Sequence, residues 1–356
     1  MNSLLLNKKI DLVDYGDVKL FMFQNDNLYN FFVPKDRKQY SLREYYKTIE
    51  RAGFPKSPFN PDNIACVRDS KACFAIIMNH LWERNIDFSV LDIGAFVGDF
   101  SIKIGNLIRT FEKTNKVYAF DPTEAGALIP YNIDINGLKG IVFHENVAVS
   151  DQKGYMVFNV LPGLSDSSFA FNKGEHKFNI FPMIRHWFKT NYRLAYVKKF
   201  FRYLKPNPSY SLIVEGVSIR DWLKEKEIHT SLFAKIDVEG MDALVVHQLI
   251  SLHKDRYIIS VFEFTPNAYA SFDEARSFLA ELSKNYIIFD LWYSPRPSRC
   301  NRIKTEALDE FVREIRDKRI FGYTDLLLIP RVLPDAKGLE EKLVSLEWDK
   351  EEYLLC

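Results

Sequence analysis

The stretch "VLDIGAFVGDFSIKIG", Val90 to Gly105, decides the fold. An apolar strand around Val90, Leu91 and Ile93 carries a carboxylate, Asp92, at its end. Gly94 and Gly98 then open a turn, and Asp99 begins a segment with helical spacing. Glycines placed directly after a buried strand let a small molecule approach the backbone. Which molecule fits depends on the charge that Asp92 tolerates.

Outward from this turn, apolar strands alternate with amphipathic helices. "FSVLDIG" reads as a strand and "DFSIKIGNLIRTFEK" as a helix; "KVYAFDP" and "EAGALIPYNIDING" repeat the pair. "GIVFHENVAVS" reads as one strand, with "GYMVFNV" and "SSFAFN" as short additional ones. "SLFAKIDVEG" and "YIISVFEF" are strands followed by the helices "MDALVVHQLISLHKD" and "FDEARSFLAELSKN"; "YIIFDLWY" and "YTDLLLIP" are the closing strands. Continuous apolar strands separated by helices indicate a sheet buried on both faces. Ligands of such sheets bind beyond the carboxyl ends of the strands, where Asp92, Asp121, Asp237 and Glu263 all fall.

Before this block, residues 1–85 read as an extension: a hairpin in "IDLVDYGDVKLFMF" turning near Gly16, a helix in "SLREYYKTIERAG" capped by Ser41, a proline-rich connector, and a helix in "SKACFAIIMNHLWERN". Residues 86–330 form the main domain, and residues 331–356 an acidic, helical tail. With 48 Lys and Arg against 47 Asp and Glu, the chain has no polyelectrolyte character that would suit nucleic acid. The four cysteines (Cys66, Cys73, Cys300, Cys356) have neither zinc-ligand nor redox-motif spacing and read as reduced thiols of a cytoplasmic protein. The N-terminal leucine run is too short for a signal peptide, and no apolar run is long enough to span a membrane.

Two cofactors compete for the turn. A dinucleotide would set its pyrophosphate at the helix N-terminus over three closely spaced glycines. Here the third glycine is missing, and Asp92 and Asp99 would repel phosphate. S-adenosylmethionine (SAM) has no phosphate and carries a sulfonium and an ammonium, which an aspartate favours. Asp121, followed by Pro122, stands one strand along, where it can accept hydrogen bonds from ribose hydroxyls. The structural alternative is that Gly94 and Gly98 serve tight strand–helix packing and Asp92 acts as a cap.

"VLDIGAFVGDFS", "YAFDPTEAGALIPYNIDINGLKGIVFHENVAVSDQKG" and "LFAKIDVEGMDALVV" resemble the FkbM-type SAM-dependent methyltransferases. The "KIDVEG" box, Lys235 to Gly240, is the most specific part, supported by Asn132 and Asn136. The resemblance implies a class I (Rossmann-like) methyltransferase fold: an α/β protein with a seven-stranded, mostly parallel sheet, its last strand antiparallel, and helices on both faces. It also implies O-methylation of sugars or natural-product hydroxyls. Carried over position by position, Asp92, Gly94, Ala95, Phe96 and Gly98 match the cofactor turn, and Asp121 with Pro122 the ribose-binding position. Val147 and Ala148 match the adenine-lining segment, and Asp237 and Glu239 the acidic box. Three positions depart from the pattern: Phe96 stands where the family more often has Asn, and Asp121 and Asp242 where it more often has Glu.

Methyl transfer needs the acceptor oxygen aligned with the sulfonium methyl and its proton removed as it attacks. Asp237 is the first choice of base, Glu239 the second, and Glu263 could complete an acidic cluster able to take Mg²⁺, although a metal is not favoured. The structural reading is that Lys235 pairs with an acid and Glu239 caps a helix. His247 reads as a packed residue rather than a base, and His144 is open to either role.

One segment interrupts the family-like block. Residues 172–208 carry nine Lys or Arg against Glu175, with Ile184, Trp187, Phe188, Tyr192, Tyr196, Phe200 and Leu204 at roughly helical spacing. Such a helix packs on its own domain, forms a wall of the acceptor site, or lies on an anionic membrane surface. The sequence therefore reads as a cytoplasmic SAM-dependent O-methyltransferase of a sugar, glycan or related metabolite, with lipid-linked acceptors and peripheral membrane contact through 172–208 both open. Its rivals are a nicotinamide-dependent oxidoreductase and a non-catalytic membrane-associated or scaffolding protein.

Overall fold

The computed structural model describes residues 10–14, 18–23, 70–151, 153–160, 168–170, 210–238, 240–291, 300–318 and 323–345. The helix expected in 41–53, the proline-rich connector and the basic aromatic segment 172–208 lie outside them, as do Glu239, Cys66 and Cys356.

The hairpin joins β1 (Ile10–Asp14) to β2 (Lys19–Phe23) in antiparallel register. Helix α1 (Ser70–Glu83) leads into β3 (Phe88–Ile93), whose six residues are all buried. Helix α2 (Asp99–Thr110), β4 (Val117–Phe120), α3 (Ile129–Ile135) and β5 (Val142–Glu145) follow. After the short strands β6 (Ala148–Ser150), β7 (Gly154–Val160), β8 (Ser168–Ala170) and β9 (Tyr210–Ser218) come α4 (Ile219–Glu225), β10 (Ser231–Ile236), α5 (Asp242–Ile250) and β11 (Ile258–Phe264). The described chain ends with α6 (Phe272–Asn285), β12 (Tyr286–Asp290), β13 (Asn301–Ile303), α7 (Leu308–Lys318), β14 (Thr324–Pro330) and α8 (Ala336–Val344).

Among the described residues the main sheet has eight strands, not the expected seven, in the order β13-β12-β14-β11-β10-β3-β4-β5. Strands β11, β10, β3, β4 and β5 pair in parallel, and β14 runs antiparallel between β11 and β12. The additional strand is β13, three residues paired antiparallel to the edge of β12. It is short and solvent-facing, so no buried apolar pattern betrays it in the sequence. Helices α1, α2, α3 and α8 cover one face of the sheet, with Phe74, Phe100, Ile129 and Leu339 in its core. The other face is covered by α4, α5, α6 and α7, with Trp222, Val246, Leu279 and Val312. Alternate residues of one strand divide between the two layers: Val90 faces the first, Leu91 and Ile93 the second.

A second correction concerns "GIVFHENVAVS". It is not one strand but two, β5 in the main sheet and β6 in a separate four-stranded sheet ordered β6-β9-β7-β8. The chain breaks at Asn146–Val147 because β6 pairs in parallel with β9, a partner some seventy residues later in sequence (Ala148 opposite Gly216).

The hairpin is stitched to α3. Asn132 and Asn136, one helical turn apart, accept the Phe21 and Lys19 N–H groups at 2.6 and 2.7 Å. The Asn136 amide also donates to the Lys19 carbonyl at 2.6 Å. Both asparagines are buried, and their amides take the place of a third strand along β2.

Candidate active site

The turn after β3 is shaped by close approaches. Gly94 has φ +83°, and a Cβ there would stand 1.8 Å from the Asp237 carbonyl oxygen. The chain leaving β10 crosses directly over this glycine, held by the Asp237 N–H donating to the Ile93 carbonyl at 2.8 Å. Gly98 (φ +79°) begins α2 against Ile129, whose Cγ1 would be 3.3 Å from an added Cβ. Between them Phe96 also adopts a positive φ of 54°. That region is strained for a bulky side chain and easier for asparagine, which explains the residue the resemblance leads one to expect here.

Neighbouring strands fix the turn from outside. The Phe120 carbonyl, at the end of β4, accepts the N–H groups of both Gly94 and Ala95 at 3.0 Å. The Phe96 N–H donates to Asp121 Oδ2 at 2.8 Å, and the Val97 carbonyl accepts from the Asn132 amide at 2.8 Å. Asp121 is buried beside Gly126, where any Cβ would strike the Asp121 carbonyl. Its Oδ1 accepts the Thr123 N–H at 2.9 Å and the Thr123 hydroxyl, and His144 Nε2 lies 3.0 Å from its backbone carbonyl. Burial pushes the Asp121 carboxyl up, and the hydrogen bonds from Thr123 and Phe96 pull it back. Pro122 follows in the loop; Val147 packs beside the second core layer, and Ala148 is buried at the start of β6.

Asp92 is fully buried rather than presented at the surface of the turn. Register explains its partner: Lys235 on β10 stands directly opposite Asp92 on β3. The Lys235 ammonium reaches Asp92 Oδ1 at 3.7 Å and Asp237 Oδ2 at 3.1 Å. Ser101 Oγ donates to Asp92 Oδ2 at 2.7 Å, while Asp92 Oδ1 has no hydrogen bond. Burial pushes the Asp92 carboxyl up, against the opposing pull of Lys235 and Ser101. Burial also opposes the charge on Lys235, but Asp237 and Asp92 together hold its ammonium above the usual lysine range. Asp237, just past β10, keeps about half of its side chain exposed at 52%. Asp99, in the first turn of α2, pairs with Lys103 at 3.8 Å. The group thus holds three carboxyl groups (Asp92, Asp99, Asp237) and two ammoniums (Lys103, Lys235).

Two further carboxylates lie at the same end of the sheet. Glu263 accepts from Thr265 Oγ1 at 2.9 Å and stands opposite Asp325 in the β11–β14 register. Asp242, at the start of α5, is only 5% exposed. Its Oδ2 takes the Gly240 N–H at 3.3 Å, and its Oδ1 has no partner. Burial, reinforced by Asp237, pushes the Asp242 carboxyl up to about 7. Tyr269, whose ring lies tilted against those of Phe264 and Phe278, is raised above the usual tyrosine range by burial and then by Asp242.

The structure therefore gathers Asp92, Gly94, Ala95, Phe96, Gly98, Asp121 and Asp237 about the ends of three adjacent parallel strands. Glu263 lies one strand further along, and Glu239 falls outside the described residues. Ser101 and Thr123 escape sequence reasoning because they hold the site residues rather than carry its chemistry. His247 is exposed on α5 with its ring edge-on to Phe278 at 5.1 Å, so it is not the packed residue its apolar neighbours suggest. Among the described residues there is no group of three His, Cys, Asp or Glu side chains able to hold a metal ion, and no helix long and apolar enough to cross a membrane.

A family model for the methyltransferase FkbM domain matches residues 92–288, more than half of the chain. Among solved structures the chain is similar to the methyltransferase FkbM from Methylobacillus flagellatus KT, with 12% identity over 83% of this chain. It spans 60% of that relative's length, at a TM-score of 0.34, which is too low to bear on the fold. No curated protein matches the chain.

Proposed function

The chain belongs to the FkbM methyltransferase family, and from that premise we propose that it is a SAM-dependent O-methyltransferase of class I fold acting on a hydroxyl of a sugar, glycan or related metabolite. The observation that carries the reading is the Asp92–Lys235–Asp237 ladder beside the Gly94–Gly98 turn at the end of β3. Its excess of carboxyl groups over ammoniums suits a donor bearing sulfonium and ammonium groups better than a pyrophosphate. Eight strands rather than seven do not trouble the class, because β13 only extends an edge.

SAM supplies the methyl group when bound. Gly94, Ala95, Phe96 and Gly98 would hold its methionine end, with Asp92 acting through Lys235 and the local field rather than by contact. Asp121 already accepts three hydrogen bonds from Phe96 and Thr123. A carboxylate offers about four lone-pair sites, so Asp121 has room for one ribose hydroxyl, not both. Val147 and Ala148 would line the adenine. Asp237 is the half-exposed carboxylate at the end of β10, and it would accept the acceptor's proton or orient its hydroxyl. Lys235 holds Asp237 in place through their 3.1 Å ion pair. Glu239 and Glu263 are the remaining candidates for orienting the acceptor.

Calorimetry with SAM and with NAD tests the cofactor assignment. The expected result is SAM binding that Asp121→Ala weakens at least tenfold and Asp237→Asn leaves intact while turnover is lost. NAD binding without SAM binding would end the reading. Mass spectrometry of extracts incubated with the protein and methyl-labelled SAM then identifies the acceptor. A cytoplasmic site of action and membrane contact through residues 172–208 belong to the same proposal, and co-sedimentation with anionic vesicles checks the second.

A further inference from the structure

Two thiols separated by 227 residues of sequence meet in the fold: Cys73 Sγ lies 3.0 Å from Cys300 Sγ. Both are buried, at 1% and 3% exposure, within the core layer shared by α1 and the main sheet. Their position follows from the neighbours of α1. Trp82, near its end, packs on Phe88 at the start of β3, whereas Phe74 packs on Phe100 in the first turn of α2. Helix α1 therefore runs antiparallel to β3 and brings Cys73 to the carboxyl end of the sheet. Cys300 directly precedes Asn301, which pairs with Asp290, the last residue of β12. That places it at the same end, the end that holds the candidate active site.

A disulfide requires about 2.05 Å between sulfurs, so the pair must close by about 1 Å. We propose that Cys73 and Cys300 are an oxidation site, forming a reversible disulfide that staples the first turns of α1 to the edge strand β13. Oxidised glutathione is the class of oxidant that would drive it. The thiolate of one cysteine attacks a glutathione disulfide sulfur, forms a mixed disulfide and expels one glutathione thiolate. The second cysteine, as thiolate, attacks the protein sulfur of that mixed disulfide and expels the other. Two protons pass from the cysteines to the two glutathione thiolates, and the two electrons lost by the cysteines reduce glutathione disulfide to two glutathiones. Because both sulfurs are buried, the rate follows local opening at the start of α1. The bond then ties together two points where the chain enters this end of the sheet, one after residues 24–69 and one after residues 292–299.

The test uses the full chain with Cys66→Ser and Cys356→Ser, which leaves only the two thiols in question. After incubation with oxidised glutathione, denaturing alkylation, digestion and mass spectrometry should reveal a Cys73–Cys300 cross-linked peptide that dithiothreitol removes. The melting temperature of the oxidised chain should exceed that of the reduced chain by at least about 3 °C, because the closed loop is long. Adding Cys300→Ser should abolish the cross-link and the oxidant-dependent rise together. Full alkylation of both cysteines after oxidation, separate glutathione adducts on each, or a cross-link without a rise in melting temperature would overturn the proposal. None of these readouts involves SAM or methyl transfer, so the outcome is independent of the proposed activity.

Discussion

Replacing Asp242 by Asn should stabilise the protein in a pH-dependent way. The Asp242 carboxyl is buried, one of its oxygens has no hydrogen bond, and Asp237 adds a like charge. Its pKa rises from 3.8 in the unfolded chain to about 7 in the fold. The folded state therefore holds the proton more tightly than the unfolded state, and stability falls as pH rises from about 4 to about 7. Linkage puts the cost at about 1.7 kcal/mol at pH 5 and about 4.3 kcal/mol at pH 8. Asn keeps the shape and an oxygen for the Gly240 N–H, and it has no proton to lose. Urea unfolding of both proteins at the two pH values should show the stability difference moving in favour of Asp242→Asn by about 2.6 kcal/mol from pH 5 to pH 8. A difference that stays constant with pH would refute the assignment of a protonated carboxyl at this helix start.

Two further outcomes follow from the turn and the hairpin. Phe96→Asn should be more stable than Phe96→Ala by about 0.5 to 1 kcal/mol in thermal or urea unfolding, because both lose the ring but only Asn relieves the positive φ. Asn132→Ala should cost about 1–3 kcal/mol and raise amide exchange at Phe21, whose N–H loses its acceptor. Equal exchange at Phe21 in the variant and the wild type would contradict the stitching of β2 to α3.

The path from β3 through the turn to α2 is legible in "VLDIGAFVGDFSIKIG" because burial, glycine spacing and helical period coincide in one short segment. The three parallel strands that end in Asp92, Asp121 and Asp237 are legible for the same reason. Less local features are not. The partner of Asp92 is Lys235, and their opposition is a matter of strand register across intervening chain that no local pattern encodes. Hence Asp92 reads from sequence as a cofactor ligand, while the structure buries it under a lysine. The division of "GIVFHENVAVS" hides for a similar reason, since its second half follows β9, itself unread because "YSLIVEGVS" mixes exposed and buried residues. Helix α7 did leave a signal in Leu308, Val312 and Ile315, spaced four and three residues apart and all buried, but its charged face masks it in "LDEFVREIRDK".

The strands on either side of residues 171–209, one ending at Ala170 and the other beginning at Tyr210, belong to the same four-stranded sheet. An exchange of the basic aromatic stretch between those two points would therefore have both of its junctions in the smaller sheet. Chimeras joined at these two points are the natural way to ask what the stretch between them contributes.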